Sequence, residues 1–214
     1  MVYNKKNRYL HTNIMSYLYL PSDDSILLAD CLKEYRGSTA LDIGLGSGII
    51  AEALCRNFEY VVGSDIVFDT LEGNKELSFR YLKTDNKRSK YCNGFDLVCT
   101  DVASAFRDNI FDLIVSNPPY LPDDYGYEGK RINDGTIYGG ATGIELTLWI
   151  VTTCIPSLRR EGSLVIIVSS LSDLSQLHQL TYQLDLNMRK KAEKKLFYET
   201  ISAFEIKSKF TEKR

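Results

Sequence analysis

A-L-D-I-G-L-G-S-G, residues 40–48, decides how this chain is read. Apolar residues flank a single acid, Asp42, and then glycines alternate at 44, 46 and 48 before a second apolar pattern begins. The run predicts a short strand over Thr39–Ile43, a glycine turn over 44–48, and a helix over Ser47–Phe58 that turns Ile49, Ile50, Ala53 and Leu54 inward. Glycine in such a turn lets the backbone approach a ligand that a Cβ would hold off. Some glycine turns bind nothing, and this one departs from the dinucleotide fingerprint G-x-G-x-x-G, which places Gly or Ala where Ile49 stands.

Working outward, the strand–turn–helix unit repeats. Upstream, Ser22 or Asp23 caps a helix carrying Ile26, Leu27, Cys31, Leu32 and Tyr35, with Gly37 as its end. Downstream come a strand over Tyr60–Ser64 ending at Asp65, a helix around 69–83, and a polar loop from Asn86 to Lys90. Two further strands follow, Phe95–Thr100 ending at Asp101 and Phe111–Ser116 ending at Asn117. After a glycine- and tyrosine-rich loop over 120–143, Ile144, Leu148, Val151, Ile155 and Leu158 recur at helical spacing, with Trp149 expected in the core. Gly162 precedes a strand over Ser163–Ser169, and a helix over 172–186 leads to two strands, 188–197 and 199–208. The alternation implies an α/β fold: a mostly parallel, doubly wound, Rossmann-like sheet closed by a C-terminal antiparallel hairpin. Residues 1–214 read as one domain, with 1–18 as an N-terminal extension.

Composition narrows the class. The 214 residues are 44% hydrophobic and 25% charged, with a net charge of −2, values ordinary for a water-soluble globular chain. That balance disfavours a protein built to hold nucleic acid. The five cysteines (31, 55, 92, 99 and 154) form no C-x-x-C pair. This argues against a metal site or disulfide framework and for a reducing compartment, cytoplasm or nucleus. The longest purely apolar run, Leu164–Val168, is far below the ~20 residues that span a bilayer, and the N-terminus lacks a signal-peptide core. His11 and His178 are isolated, and Lys190–Lys195 reads as a solvated face or hairpin turn, with contact to a ribosome-associated or RNA-shaped partner as the alternative.

Chemistry concentrates at the strand ends. Asp65 follows Gly44 by 21 positions, where an acid can accept both hydroxyls of a ribose. A solvated carboxylate or helix cap accounts for any one of Asp42, Asp65 or Asp101. Three of them behind a glycine turn suit a ligand with ribose hydroxyls, an exocyclic amine and a cationic end. S-N-P-P-Y, residues 116–120, adds a rigid elbow. Its prolines remove two backbone donors and stop the strand. Asn117 and the Pro118 carbonyl offer two acceptors to a planar NH2 group, freeing the nitrogen lone pair for an electrophile. Tyr120 can cover the flat face of that group. The elbow alone leaves a glutamine amide and an adenine amine equally open.

These residues resemble a known family. D-x-G-x-G-x-G (42–48), Asp65, Asp101 and N-P-P-Y (117–120) are similar to class I S-adenosylmethionine-dependent methyltransferases acting on planar amino nitrogens. Y-L-P-S-D-D-S-I-L-L (19–28) and Y-G-G-A-T-G (138–143) resemble segments of the HemK-like release-factor glutamine methyltransferases, in their short eukaryotic or archaeal form. The resemblance implies that Ser25, Asp42, Gly44, Gly46, Gly48, Asp65, Asp101, Val102 and Asn117 bind S-adenosylmethionine. It implies that Asn117, Pro118, Pro119 and Tyr120 hold the substrate, with Asn117, Pro118 and Tyr120 catalytic. The implied reaction is N5-methylation of the glutamine in the Gly-Gly-Gln loop of a class I translation termination factor. The implied partner is a small zinc-binding activator on edge strand 95–100, with Phe95, Leu97 and Val98 as its apolar contacts. No metal in this chain, no membrane and no direct nucleic-acid binding are expected.

Overall fold

The structure, a computed structural model, describes residues 22–82, 92–123 and 138–209. His11, Tyr19–Pro21 of the opening motif, the loop at 86–90 and residues 124–137 of the glycine- and tyrosine-rich loop lie outside the described residues. Helix α1 (Asp23–Cys31) continues as a 3-10 turn, Leu32–Glu34, and leads into β1 (Gly37–Ile43), α2 (Ile49–Leu54) and β2 (Phe58–Asp65). Then follow α3 (Phe68–Leu82), β3 (Gly94–Cys99) and β4 (Phe111–Ser116). A small pair, β5 (Leu121–Pro122) and β6 (Tyr138–Gly140), precedes α4 (Glu145–Cys154), β7 (Leu158–Ser169), α5 (Leu174–Gln183), β8 (Leu186–Lys195) and β9 (Thr200–Ser208).

Among the described residues seven strands form one sheet in the order β3-β2-β1-β4-β7-β9-β8. The first five run parallel, and β9 is antiparallel to both β7 and β8. Strand order reverses between β1 and β4, which pair from Ala40↔Leu113 to Ile43↔Ser116. That reversal opens a crevice at the carboxyl ends of the two central strands.

Alternation along the strands builds two cores. Ala40, Val61, Phe95, Leu113, Val115, Val165 and Ile167 meet Leu28 and Leu32 of the first helical segment and Ile50 and Leu54 of α2. Leu41, Ile43, Val62, Ile114, Leu164, Ile166 and Val168 meet Ile150, Val151 and Cys154 of α4 and Leu177 of α5. Runs such as Leu164–Val168 are buried on both faces, which explains their unbroken apolar sequence.

Several boundaries differ from the sequence expectation, each for a local reason. Helix α2 is six residues long because Gly48, in the left-handed region at φ 78°, sets its start. At the other end, Phe58, 1% exposed, already begins β2. Gly37 does not end a helix. It opens β1, where a Cβ would lie 2.8 Å from that of Asp112. Asp112 accepts the amides of Ser38 and Thr39 at 2.8 Å and the Arg159 guanidinium at 2.7 Å, bracing the strands at their amino ends. Pro156 ends α4 early, and β7 starts at Leu158 with Gly162 inside it. The β4–β7 register shifts between Phe111 and Leu113, and a Cβ on Gly162 would meet Phe111 O at 2.9 Å. Trp149 is not core but 50% exposed. Phe95, expected as an open contact on the edge strand, is buried inside the sheet's own core, although β3 is the edge.

Candidate active site

The glycine turn is pinned from three sides. Gly44 N and Leu45 N donate to Ser64 O at 2.9 and 3.0 Å, and Gly48 N donates to Leu45 O at 2.8 Å. Asn74 of α3 donates its Nδ2 to Gly46 O at 2.8 Å and to Thr70 O at 2.9 Å. Gly44, Gly46 and Gly48 all have positive φ. A Cβ on Gly44 would meet nothing within 4 Å, so its face opens toward the crevice.

Asp42 stands at the floor of this crevice, 2% exposed. Its Oδ2 is buried without a hydrogen-bond partner. Burial pushes its pKa well above the carboxylate range; the Ala51 amide pulls it down and the nearby Asp65 charge pushes it further up. Burial also raises Asp65, against the amides of Val67, Gly46 and Ile66, the first of these donating at 2.9 Å. Keeping two acids with raised pKa values side by side costs stability, and that cost marks a place for donors or positive charge. Asp101 is exposed at the end of β3, next to Thr100, whose amide bonds Asp65 O at 3.1 Å. Val102 follows with φ 50° and is buried, a strained conformation for a β-branched residue.

The elbow forms the opposite wall. Ser116 Oγ donates to Ile43 O at 3.0 Å, tying the end of β4 to that of β1. Asn117 Nδ2 donates to Ser25 Oγ at 3.4 Å, and Asn117 Oδ1 is buried with no partner. Tyr120 donates its hydroxyl to Asp24 Oδ2 at 3.2 Å, and its carbonyl accepts Ser172 Oγ at 2.8 Å. Asp24, 3% exposed, also takes the Ser25 amide at 2.6 Å and the Ser22 hydroxyl. Pro118 is buried. Pro119 turns its carbonyl to Gly139, where a Cβ would stand only 2.5 Å away. Gly143, at φ +74°, makes the same close approach to Tyr120 O. Through the β5–β6 pairing, the Y-G-G-A-T-G segment therefore clamps the elbow from behind.

The structure thus gathers Asp42, the three glycines and Asp65 on one wall, and Ser25, Asn117, Pro118 and Tyr120 on the other. Asp24, Asn74, Gly139 and Ser172 went unassigned in the sequence reading. Asp24 lay within the quoted opening motif, whereas Asn74 gave no signal beyond being a polar residue in a helix. A separate cavity of about 120 Å³, lined by Leu32, Lys33, Arg36, Arg56 and Asn57 among others, contains none of the candidate residues.

A glycine turn after β1, acids at the ends of β1 and β2, and a seven-stranded sheet with an antiparallel C-terminal pair define a class I methyltransferase fold. Residues 21–127, half of the chain, match the family model described as methyltransferase small domain, and the chain belongs to that family. It is 33% identical over 156 residues to a ribosomal protein uL3 glutamine methyltransferase of Xylella fastidiosa, covering 68% of this chain and 45% of that protein. The chain therefore spans less than half the length of that curated relative. Over 182 residues it is 26% identical to a Methanocaldococcus jannaschii protein whose assignment as a protein N5-glutamine methyltransferase is provisional, covering 81% of this chain and 85% of the other. The E. cuniculi Mtq2–Trm112 complex, described as responsible for methylation of the eRF1 termination factor, shares the fold. It superposes at a TM-score of 0.68 with 23% identity, covering 90% of this chain and 99% of the other.

Proposed function

We propose that this chain transfers a methyl group from S-adenosylmethionine to the side-chain nitrogen of a protein glutamine, in the Gly-Gly-Gln loop of a class I translation termination factor. The observation that carries the reading is Asn117 Oδ1, an amide acceptor held buried and unpartnered beside an acid-floored glycine turn. An orphaned acceptor of this kind calls for a donor from outside the chain.

The residues present fit the cofactor. Asp42 Oδ2 lacks a donor, Gly44 leaves the backbone bare, and Asp65 can take ribose hydroxyls. Ser25, Gly46, Gly48, Asp101, Val102 and Asn117 would complete the cradle. When bound, S-adenosylmethionine supplies an electrophilic methyl group on a cationic sulfur. Asn117 Oδ1 and the Pro118 carbonyl would accept hydrogen bonds from the two N–H groups of the substrate amide and hold its nitrogen lone pair outward. Tyr120, fixed by Asp24, covers the amide plane. The nitrogen sheds its proton after it has become cationic and acidic, so no side chain must act as a general base.

The partner reading rests on the sheet edge. β3 has no outer neighbour among the described residues, and Leu97 and Val98 are half-buried on it. Ile66 and Phe68, 68% and 63% exposed, extend an apolar surface from the same edge, with Ile66 O next to Cys99 Sγ. A small zinc-binding activator would add its strand here. The termination factor is proposed on the resemblance of residues 19–28 and 138–143 to release-factor glutamine methyltransferases, with uL3 as the competing protein substrate. The test is transfer of labelled methyl groups to the termination factor, its Gln→Ala variant, uL3 and an adenine-bearing oligonucleotide, with and without the activator. Equal labelling of the factor and its variant refutes the glutamine assignment. Labelling confined to uL3 or to the oligonucleotide replaces the substrate.

A further inference from the structure

The β8–β9 hairpin ends in two aromatic rings that serve no core. Phe197 is 91% exposed and Tyr198 79%. The rings meet edge to face, with centroids 4.7 Å apart at 78°. Turns of this kind are ordinarily filled by small polar residues, and two ordered rings facing water are apolar area held in reserve.

Register fixes where the rings stand. β9 runs against β7 with Ile201 opposite Ser169, and Thr200 pairs with Lys195 of β8. The tip therefore lies at the carboxyl ends of the parallel strands, the end that holds Asn117. Two tethers bind it to the candidate site. Lys194 pairs with Asp23 at 2.8 Å, and Asp23 is followed directly by Asp24 and Ser25, the partners of Tyr120 and Asn117. Thr200 exchanges bonds with Ser170 at 2.9 Å, in the loop whose Ser172 holds the Tyr120 carbonyl. Within the tip, Leu196 N donates to Glu199 O at 2.8 Å, and Glu199 accepts the Ser169 hydroxyl. The rings are thus carried on a braced turn.

We propose that this tip is a docking contact for the protein substrate. Phe197 and Tyr198 receive an apolar side chain, and Lys195 an acidic one, on the surface beside the methylated glutamine. The inference rests on the glutamine-methylating reading above. Charge favours a protein over a nucleic acid. Arg189, Lys190, Lys191 and Lys194 are neutralised by Glu205, Glu193, Glu34 and Asp23. Lys195 makes no close ion pair among the described residues but also acts on Glu193, so the strand carries too little uncompensated charge for backbone binding by counterion release. Aromatic rings such as Phe197 and Tyr198 are among the residues enriched at protein interfaces.

The test is steady-state methylation of the intact termination factor by the chain–activator complex carrying Phe197→Ser with Tyr198→Ser. The expected result is a KM for the factor raised at least tenfold, with kcat and cofactor Kd each within twofold of the unsubstituted complex. Phe197→Tyr with Tyr198→Phe keeps KM, and Lys195→Glu raises it in a salt-dependent way. An unchanged KM in the double serine variant, with the unsubstituted complex active, overturns the docking contact alone. Ring-dependent retention of a ribosomal RNA fragment with unchanged KM also overturns it, in favour of a nucleic-acid platform. If the unsubstituted complex does not methylate the factor, the functional reading fails and the docking contact falls with it.

Discussion

Gly139→Ala tests whether the elbow's position, rather than its composition alone, governs turnover. Gly139 is buried in β6, and its backbone is one an alanine adopts freely, so the substitution adds a methyl group and little else. That methyl would stand 2.5 Å from Pro119 O and 2.6 Å from Gly143 O, where ordinary contact begins at 3.4 Å. One or both carbonyls must retreat, by up to about 0.9 Å if a single atom yields. Pro119 lies in a Pro-Pro pair with locked φ, so the displacement passes along the chain to Asn117 and Tyr120 instead of being absorbed locally. A misplacement near 1 Å in a positioning group costs about 100-fold in rate. On the cofactor side, Asp42, the glycine turn and Asp65, carried by β1, β2 and α2, stay in place, and Asn117 alone of the cradle residues is displaced. The expected outcome is a kcat for methyl transfer reduced about 100-fold. Cofactor Kd from calorimetry stays within a few-fold, and overpacking costs about 1–3 kcal/mol in stability. Gly44→Ala supplies the opposite signature. Its Cβ meets open space but at φ +75° and on the ligand side, so cofactor affinity falls first. A Gly139→Ala enzyme with normal kcat would show that the clamp behind the elbow does not set its geometry.

Asn117→Ala removes the orphaned acceptor; turnover is expected to drop by about 10²–10³ while cofactor affinity stays within a few-fold, and retained turnover would refute the amide grip. Asp42→Asn is expected to raise the melting temperature of the ligand-free chain at neutral pH and to weaken cofactor binding at least tenfold. Burial raises the Asp42 pKa, so the folded chain holds that proton more tightly than the unfolded one: Asp42 favours folding on the acid side and opposes it as the pH rises through the folded value, and a lowered melting temperature at pH 7 would contradict the reasoning. Asp112 has the opposite sign. Burial alone would raise it, but the Thr39 amide, the Arg159 guanidinium and the Ser38 amide together hold it below its ordinary value; it therefore stabilises the fold above an unfolded pKa of about 3.9, and this is lost as the pH falls through the folded pKa. Asp112→Asn should cost about 1–3 kcal/mol at pH 7 and flatten the acid limb of the stability profile, as followed by denaturant titration.

Sheet and crevice were legible in the sequence to the extent that periodicity and strand-end chemistry are local. Asp42, Asp65 and Asn117 each follow an apolar run, and parallel pairing brings such ends together whatever lies between. Terms that depend on a distant partner were not legible. Gly37 looks like a helix stop until Asp112, 75 positions away, is seen against it. Trp149 fits the apolar period of its helix, yet among the described residues it remains half exposed. The β5–β6 pair is two and three residues long, too short to leave a period, and Asn74 acts through a single carbonyl.

Asp42 Oδ2 and Asn117 Oδ1 are two of three buried polar side-chain atoms without partners among the described residues; the third is Thr147 Oγ1. The two face one crevice from the ends of adjacent strands β1 and β4, and both are acceptors. A fold that leaves two acceptors unsatisfied side by side forfeits stability at both, by about 1–3 kcal/mol each for neutral groups and more for a carboxylate. Random imperfection would not choose the same polarity twice at the switch point of the sheet. The pattern fits two ligands that both bring N–H or O–H donors to one place, and it suits a phosphate poorly, because phosphate oxygens are acceptors and bring no donor for Asn117 Oδ1. The glycine turn is therefore better described as the bare flank of an acid-floored site than as a phosphate cradle. That distinction, more than the glycine spacing, separates this crevice from a dinucleotide site.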